Sequence, residues 1–389
     1  MPAFFVFAAC AFASGFALRL ADPIILPVAT HFAITPQVAA LLNTAYALPY
    51  ALAQPFLGPI GDRFGKPRCI QVCVAGLAAM LLAGAFAPSL TLLLATRVGA
   101  GIFAGGLIPL VLAGLSDSVD MSERQVMIGR MLLAIISGQM LGSVVSGFAN
   151  DAFGWHSALV IGAGVGAVAA AVAWLAMPAG ASAAASRDSG SFATLYGRVL
   201  ANPKAPWLIG GVAVEGMFFY GLFPYMGELL LATARPAGSI AAVTGLVLGA
   251  FGVGGLLYAA SVRRLLATLG VRRMCIVGAA AAAASYAALA AFTLWWLVAM
   301  ALAVAGTSYY MLHNSLQTEA TEIAPAARGS AVALFACGLF AGQGLGPLLF
   351  GALAHGAGFA AALLACAGGL LALGWLVVRR IVPPAEAVA

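Results

Sequence analysis

Four charged side chains lie inside long apolar stretches of the chain, where a charged group could carry out chemistry. They are Arg19, Asp22, Arg97 and Glu215. A charge within hydrocarbon costs roughly 3 kcal/mol or more and normally marks a transport pathway or a charged partner. Arg19 and Asp22 are three residues apart, so a helix places them on one face, where they can form an ion pair. The alternative for this pair is structural, an ion bridge that only fixes helix packing.

The helical pattern is interrupted beside Asp22. Pro23 and Pro27 follow it, and proline removes a backbone N–H donor and breaks the helical hydrogen bonds. Backbone carbonyl groups freed next to a carboxylate favour a binding site over a structural clamp. We therefore predict that the first helix is locally broken at Asp22 and that the break forms part of a site.

The composition indicates a membrane protein. Of the 389 residues, 63% are hydrophobic and 8% are charged, whereas a soluble domain is about 25% charged. A helix needs roughly 20 apolar residues to cross a bilayer, and stretches near that length recur from end to end. The sequence predicts an all-α membrane protein with twelve transmembrane helices, at approximately 4–29, 36–60, 69–87, 90–113, 130–150, 156–177, 206–231, 239–260, 274–292, 294–316, 328–352 and 357–380.

The basic residues fall on one side of this arrangement. When the loops between the twelve helices are assigned alternately to two sides, only Arg235 lies clearly on the second side. Cytoplasmic loops carry the excess of Lys and Arg, so both termini are expected to be cytoplasmic. No basic residue precedes the first apolar segment, which is interpreted as a membrane helix rather than a cleaved signal peptide.

Two segments that lie 204 residues apart share a pattern. GQMLGSVVSG at 138–147 and GQGLGPLLFG at 342–351 both read G-Q-x-L-G-x-x-x-x-G, and the same offset relates Gly154 to Gly358. The chain is therefore predicted to contain two six-helix parallel repeats, 1–177 and 206–389, joined by a cytoplasmic linker at 178–205 that is rich in small residues. Parallel repeats of this kind place a binding site in a central cavity near the bilayer midplane.

A charged, glycine-containing stretch, GPIGDRFGKPR, joins the second and third predicted helices. Its pattern, G-x-x-x-D-R-x-G-x-x-R, is formed by Gly58, Asp62, Arg63, Gly65 and Arg68. This pattern resembles the signature loop of the major facilitator superfamily of secondary transporters. The resemblance implies a cytoplasmic gate, with Asp62 at the N-terminus of helix 11 and Arg63 reaching acidic residues after helix 4, here Asp117 and Asp120. The alternative is a solvated basic turn.

Two further motifs extend the resemblance. LLATRVGAGIFAGG, which contains Arg97, resembles the helix-4 motif of proton-coupled members, and GQMLGSVVSG resembles the helix-5 motif of antiporters, with Ser143 in place of the usual proline. The resemblance implies that protons are the coupling ion with no other cofactor and that Arg97 acts on a nearby carboxylate. From their positions inside apolar stretches, Asp22 and Glu215 are predicted to exchange the protons, with Arg19 beside Asp22.

The chain as a whole resembles bacterial drug- and sugar-efflux antiporters of the inner membrane. The resemblance implies efflux of a small organic solute by alternating access. The alternative is a proton-coupled importer or exchanger of a small organic anion or sugar, in which Arg19 and Arg97 bind the substrate directly.

Polar and aromatic residues on the predicted helices are candidates for the substrate cavity. They are Asn43, Tyr46, Tyr50, Gln139, Tyr220, Tyr310, His313, Asn314 and Gln343. On helix 10, Tyr309 with His313 and Tyr310 with Asn314 form two i,i+4 pairs. The alternative for each residue is packing or an interfacial position, which aromatic side chains in membranes often occupy.

The sequence contains no motif that indicates another class of function. It has no H-E-x-x-H, no G-x-S-x-G, no nucleotide-binding loop and four histidines in separate places, so we expect neither an enzyme nor a metal site. The six cysteines form no C-x-x-C pair and are interpreted as buried thiols. The expected partners are a small-molecule substrate and the lipid bilayer, with no nucleic acid and no obligate protein partner, so that the chain works as a monomer.

Overall fold

A computed structural model describes residues 2–118, 121–177, 192–233 and 238–382. These ranges form helices joined by short turns. The α-helices are α1 (Pro2–Arg19), α2 (Ile25–His31), α3 (Pro36–Ala39), α4 (Leu41–Phe64), α5 (Lys66–Ala85), α6 (Leu90–Ser118), α7 (Met121–Phe153), α8 (Trp155–Ala176), α9 (Phe192–Leu200), α10 (Ala205–Tyr220), α11 (Met226–Thr233), α12 (Ile240–Leu289), α13 (Trp295–Glu322), α14 (Arg328–Ala357) and α15 (Phe359–Leu376). Three-residue 3₁₀ turns lie at Asp22–Ile24, Phe223–Tyr225 and Pro325–Ala327, and a π-helical turn at Val377–Ile381.

Ten helical segments in the described ranges are long and apolar enough to cross a membrane. The all-α membrane class predicted from the sequence is therefore confirmed, while the number of segments differs from the predicted twelve. One of the ten, α12, is 50 residues long and contains Gly270 with φ 67° and ψ 168°, so two helices meet there. The 24-residue α4, which carries Asn, Gln, Asp and Arg side chains, is not among the ten.

The first membrane helix is broken at Asp22, as its prolines predict. Regular helix ends at Arg19, the 3₁₀ turn Asp22–Ile24 follows, and helix resumes at Ile25. The same interruption separates α10 from α11, where the turn Phe223–Tyr225 also has proline as its second residue. In each of these two helices, a short 3₁₀ turn thus interrupts the series of backbone hydrogen bonds.

Matching glycines end α7 and α14. Gly154 has φ 81° and ψ 168°, and Gly358 has φ 91° and ψ 159°; each separates two consecutive helices. Glycine adopts positive φ without the steric cost that a side chain brings, which explains its use at both turns. The 204-residue offset found in the sequence therefore relates turns of the same conformation.

The chain forms two compact units. The first comprises Met1–Ser189, Pro224–Glu228 and Ala237–Gly249, and the second comprises Gly190–Phe223, Leu229–Pro236 and Ala250–Ala389. In the first unit, α6 packs against α4 and α5, α1 against α7, and α5 against α8; in the second, α14 packs against α10, α13 and α15. The predicted linker lies outside the described residues at 178–191, and its remainder contains α9.

Closely spaced glycines bring α6 into backbone contact with α4. A methyl group placed on Gly101 would meet the carbonyl oxygen of Tyr46, and one on Gly105 would meet the carbonyl oxygen of Tyr50. Small residues four apart let membrane helices approach this closely. The spacing thus positions Tyr46 and Tyr50 against α6, the helix that carries Arg97.

Gly101→Ala is expected to lower the melting temperature of the purified protein. The added methyl group must push α4 away from α6, and overpacking of this kind costs about 1–3 kcal/mol. Gly164→Ala is the matched control, because Gly164 lies on α8 with open space around it, where alanine favours helix by about 1 kcal/mol over glycine. Thermal unfolding in detergent measures both variants, and equal melting temperatures would contradict the close contact.

Candidate functional site

Five buried or half-buried polar side chains in the first unit form what we call the N-cluster: Arg19, Asp22, Asn43, Tyr46 and Arg97. One carboxylate oxygen of Asp22 lies 3.8 Å from Nη1 of Arg19, and the other accepts a hydrogen bond from Nδ2 of Asn43. Asp22 is 2% exposed and Arg19 6% exposed. The ion pair predicted from the i,i+3 spacing is confirmed, and it balances the Asp22 charge with that of Arg19.

Arg97 is held by backbone groups and an aromatic ring. Its Nε donates a hydrogen bond to the carbonyl oxygen of Leu42 over 3.3 Å, and its Nη1 donates to that of Ala17 over 3.4 Å. The guanidinium carbon lies 4.3 Å from the centre of the Tyr46 ring, which is a cation–π contact. The third nitrogen, Nη2, is buried and has no hydrogen-bond partner among the described residues.

The charge balance of the N-cluster defines what it can do. When Arg19, Asp22 and Arg97 are all ionised, two positive charges face one negative charge, and one positive charge remains. Buried charge is tolerated when a partner or hydrogen bonds compensate it. Tyr46 Oη and Asn43 Oδ1 are also buried without a hydrogen-bond partner in the described part of the chain. The N-cluster can therefore exchange a proton at Asp22 or hold an acceptor group against Arg97.

The carbonyl groups freed at the Asp22 break are already hydrogen-bonded. Ser143 on α7 donates to the carbonyl oxygen of Arg19 over 3.4 Å, and Ser146 donates to that of Leu20. Both carbonyl oxygens thus accept a hydrogen bond from a serine hydroxyl of α7, and the part that the break plays in a binding site stays a prediction. The sequence held a signal for this contact, because Ser143 stands where the helix-5 motif usually has proline and Ser146 follows three residues later.

A second buried polar contact joins α10 to α13 within the second unit. Oε2 of Glu215 lies 2.8 Å from Nδ1 of His313. The Glu215 side chain is fully buried, and that of His313 is 12% exposed. Sequence reasoning singled out both residues but did not connect them, since they are 98 positions apart.

Aromatic rings pack against the imidazole ring of His313. The Tyr309 ring stacks on it at 4.9 Å with an interplanar angle of 18°, and the Phe335 ring lies 5.3 Å away. Tyr220 and Tyr309 meet edge to face at 5.2 Å. The predicted i,i+4 contact between Tyr309 and His313 is confirmed.

Both members of the second predicted i,i+4 pair on α13, Tyr310 and Asn314, contact Tyr258. Nδ2 of Asn314 donates to the hydroxyl of Tyr258 on α12 over 2.9 Å, and the Tyr310 ring stacks on the Tyr258 ring at 6.2 Å. Tyr258 therefore contacts both residues. Sequence reasoning missed Tyr258, which lies on another helix.

The remaining candidate cavity residues divide between the two units. Tyr50 is buried with its ring 6.0 Å from that of Tyr46. Gln139 is half-buried on α7 opposite Gly15 of α1, and Gln343 is buried on α14 opposite Gly216 of α10. Each glutamine thus lies beside a glycine of the helix that packs against its own helix.

The GPIGDRFGKPR stretch is mostly helical rather than a loop. Helix α4 continues to Phe64, and Gly65, with φ 89°, is the one residue between it and α5. Arg63 and Arg68 are exposed, and the Arg63 guanidinium lies 5.4 Å from the Phe64 ring centre. The structure describes the backbone at Gly58, Asp62 and Asp117, and Asp120 lies outside the described residues. The predicted gate contacts stay a prediction.

A family model described as Major Facilitator Superfamily matches residues 7–318. The chain is 31% identical to the niacin transporter NiaP of Acinetobacter baylyi over 34% of this chain and 30% of NiaP. It is also 31% identical to the multidrug efflux pump LfrA of Mycolicibacterium smegmatis over 30% of this chain and 23% of LfrA. The matched region thus spans less than a third of the length of each of these relatives.

A solved structure shares the fold over nearly the whole chain. The crystal structure of the nucleoside transporter NupG matches with a TM-score of 0.79, covering 96% of this chain and 98% of that one, at 14% identity. At this level of identity the match bears on the fold alone.

Proposed function

Because the chain belongs to the Major Facilitator Superfamily, it is a secondary transporter rather than an enzyme, and we propose that it exports drug-like or sugar-like compounds in exchange for protons. The observation that carries the proposal is Asp22, a buried carboxylate at a break in a membrane helix, with Arg19 beside it and Arg97 in the same cluster. The similarity to the efflux pump LfrA over 30% of the chain supports the direction of transport.

The proposed topology has twelve membrane crossings in two six-helix repeats. Separating α12 at Gly270 and counting α4 as a crossing would turn the ten segments into twelve. The paired breaks at Pro23 and Pro224 and the paired turns at Gly154 and Gly358 support the repeat. With the basic residues on the cytoplasmic side, both termini are cytoplasmic, and the protein works as a monomer in the bacterial inner membrane.

The proposed coupling uses the two buried carboxylates, with protons as the coupling ion. Asp22 ionised leaves the N-cluster with one positive charge, and Asp22 protonated leaves it with two. A change of one charge in a dry cluster alters which conformation and which ligand the cluster stabilises. Proton binding at Asp22 and substrate binding can then exclude each other, which is the requirement for antiport.

Everted membrane vesicles test this proposal. With the lumen acidified, an antiporter is expected to accumulate ethidium, used as a drug-like probe, and each transported molecule should release luminal protons, read with a pH-sensitive dye. Vesicles that lack the protein set the background. Probe movement that is indifferent to the imposed pH gradient would contradict proton coupling.

A proton-coupled importer or exchanger of a small organic anion or sugar is the second candidate. One observation favours an anion: the buried Nη2 of Arg97 has no hydrogen-bond partner in the described ranges, and guanidinium groups bind carboxylates strongly. The similarity to the niacin transporter NiaP over 34% of the chain points the same way. Niacin preloaded into the acidified vesicles would leave them faster under the pH gradient if the chain is an importer.

Asp62→Asn is expected to slow turnover about fivefold while leaving substrate binding unchanged, because a charge at a helix N-terminus contributes on the order of 1 kcal/mol. Arg63→Ala should behave alike. Arg263→Ala, which removes an exposed basic residue from α12, is the matched control. Initial transport rates and equilibrium binding measure the effect, and a normal rate for Asp62→Asn would remove the gate from the proposal.

A further inference from the structure

The contact between Glu215 and His313 unites a carboxylate and an imidazole inside the second unit. Glu215 Oε2 and His313 Nδ1 are 2.8 Å apart, which is a full hydrogen bond. The other carboxylate oxygen, Oε1, is buried and has no hydrogen-bond partner among the residues that the structure describes. Among the described residues, the Glu215 carboxylate thus has one hydrogen-bond partner, His313.

The groups that face this pair from neighbouring helices are neutral at ordinary pH. Tyr309 on α13, Tyr220 on α10 and Cys275 on α12 interact electrostatically with Glu215 or with one another. Phe335 on α14 closes another side of the imidazole. The next acidic group, Glu319, acts on Cys275 and forms an ion pair with Lys204 at 3.5 Å. Within the described helices, the basic side chain at hydrogen-bond distance from Glu215 is that of His313.

The net charge of the pair depends on how many protons it binds. With an ionised carboxylate and a neutral imidazole, the pair has one net negative charge. One added proton makes the pair neutral, and a second gives it one net positive charge. Net charge is expensive in apolar surroundings, so the pair favours one proton. Because one hydrogen bond joins the two groups, the number of protons bound belongs to the pair and not to either residue alone.

We propose that the Glu215–His313 pair, rather than Glu215 alone, is the proton-binding group of the second unit, with Tyr309 positioning the imidazole ring. Because Nδ1 of His313 faces the carboxylate, protons enter and leave at Nε2, and uptake there moves the Nδ1 proton toward Glu215 Oε2. His313 is the more exposed partner, at 12% against 0% for Glu215. This inference rests on the proposed function, since only a proton-coupled transporter uses such exchange.

Infrared difference spectroscopy of the full-length protein in lipid nanodiscs tests the pair during a pH titration. The wild-type protein is expected to show carboxyl and imidazole bands that change together at one midpoint, which needs no variant. Glu215→Gln should abolish the carboxyl change and shift the imidazole midpoint. His313→Gln should leave the Glu215 carboxyl band present at every pH tested, because a lone buried carboxyl group stays neutral.

Two controls match these variants. Glu319→Gln removes a partly exposed carboxylate, and His355→Gln removes a histidine on α14; neither belongs to the pair, and both should keep the wild-type midpoint. A carboxyl band in His313→Gln that titrates as in the wild type would overturn the pair. The spectroscopy requires no transport, so titration of the pair without proton movement in the vesicles would uphold the pair and overturn the proposed coupling.

Discussion

Asp22→Asn is expected to reduce transport driven by a pH gradient to background while substrate exchange without a gradient continues. Asparagine keeps the shape of the side chain and can still accept the hydrogen bond from Asn43, so the N-cluster keeps its packing. It cannot exchange a proton, and it leaves the nearby Arg19 charge without its carboxylate. The coupling step is lost, while the conformational change that carries the substrate is retained.

Two vesicle assays measure this difference. Gradient-driven uptake should vanish, and counterflow of labelled substrate against unlabelled substrate should persist. Asp151→Asn is the control, because Asp151 is an exposed carboxylate at the end of α7. If Asp22→Asn and Glu215→Gln both transport normally under the gradient, coupling through these residues is excluded, and a uniporter or another coupling ion takes its place.

Arg97→Ala is expected to abolish transport and destabilise the first unit. The substitution removes two hydrogen bonds to backbone carbonyls and the contact with Tyr46. It also leaves a cavity at a site that is 2% exposed, and truncating a large buried side chain costs about 2–5 kcal/mol. Arg97→Lys keeps the charge but loses the planar fork that reaches both carbonyls, so it should retain part of the activity.

The melting temperature separates the two effects of Arg97. The Ala variant should melt well below the wild type and the Lys variant close to it, although both should transport more slowly. Arg263→Ala, at an exposed position on α12, should match the wild type in both measurements. Wild-type transport by Arg97→Lys would mean that Arg97 serves as a charge alone and that its fork geometry has no role.

Local spacing made much of the fold predictable. Hydropathy over windows of roughly 20 residues identifies membrane helices. The prolines at 23 and 27 predict the break after Arg19. The i,i+3 contact of Arg19 with Asp22 and the i,i+4 contact of Tyr309 with His313 also follow from helix geometry. Each of these inferences needs only residues within a few turns of one another.

Contacts between distant segments were not predictable, because they depend on how each helix is rotated about its axis. Arg97 could have faced Asp22 directly, yet its nitrogens donate to the carbonyls of Ala17 and Leu42. Periodicity alone does not set that orientation, since the apolar residues of α6 surround the helix on all sides. The link between Glu215 and His313 was hidden for the same reason.

The uneven charge of the N-cluster makes the proposed transport cycle depend on the membrane potential. With all three groups ionised, Arg19 and Arg97 against Asp22 leave one positive charge. In the proposed cycle, the empty cluster moves that charge whenever it opens to the other side of the membrane. Each elementary charge that crosses the field gains or loses about 2.3 kcal/mol per 100 mV. A neutral substrate exchanged for one proton then makes the cycle electrogenic, whereas a bound monovalent anion cancels the cluster charge and removes the voltage dependence of that step.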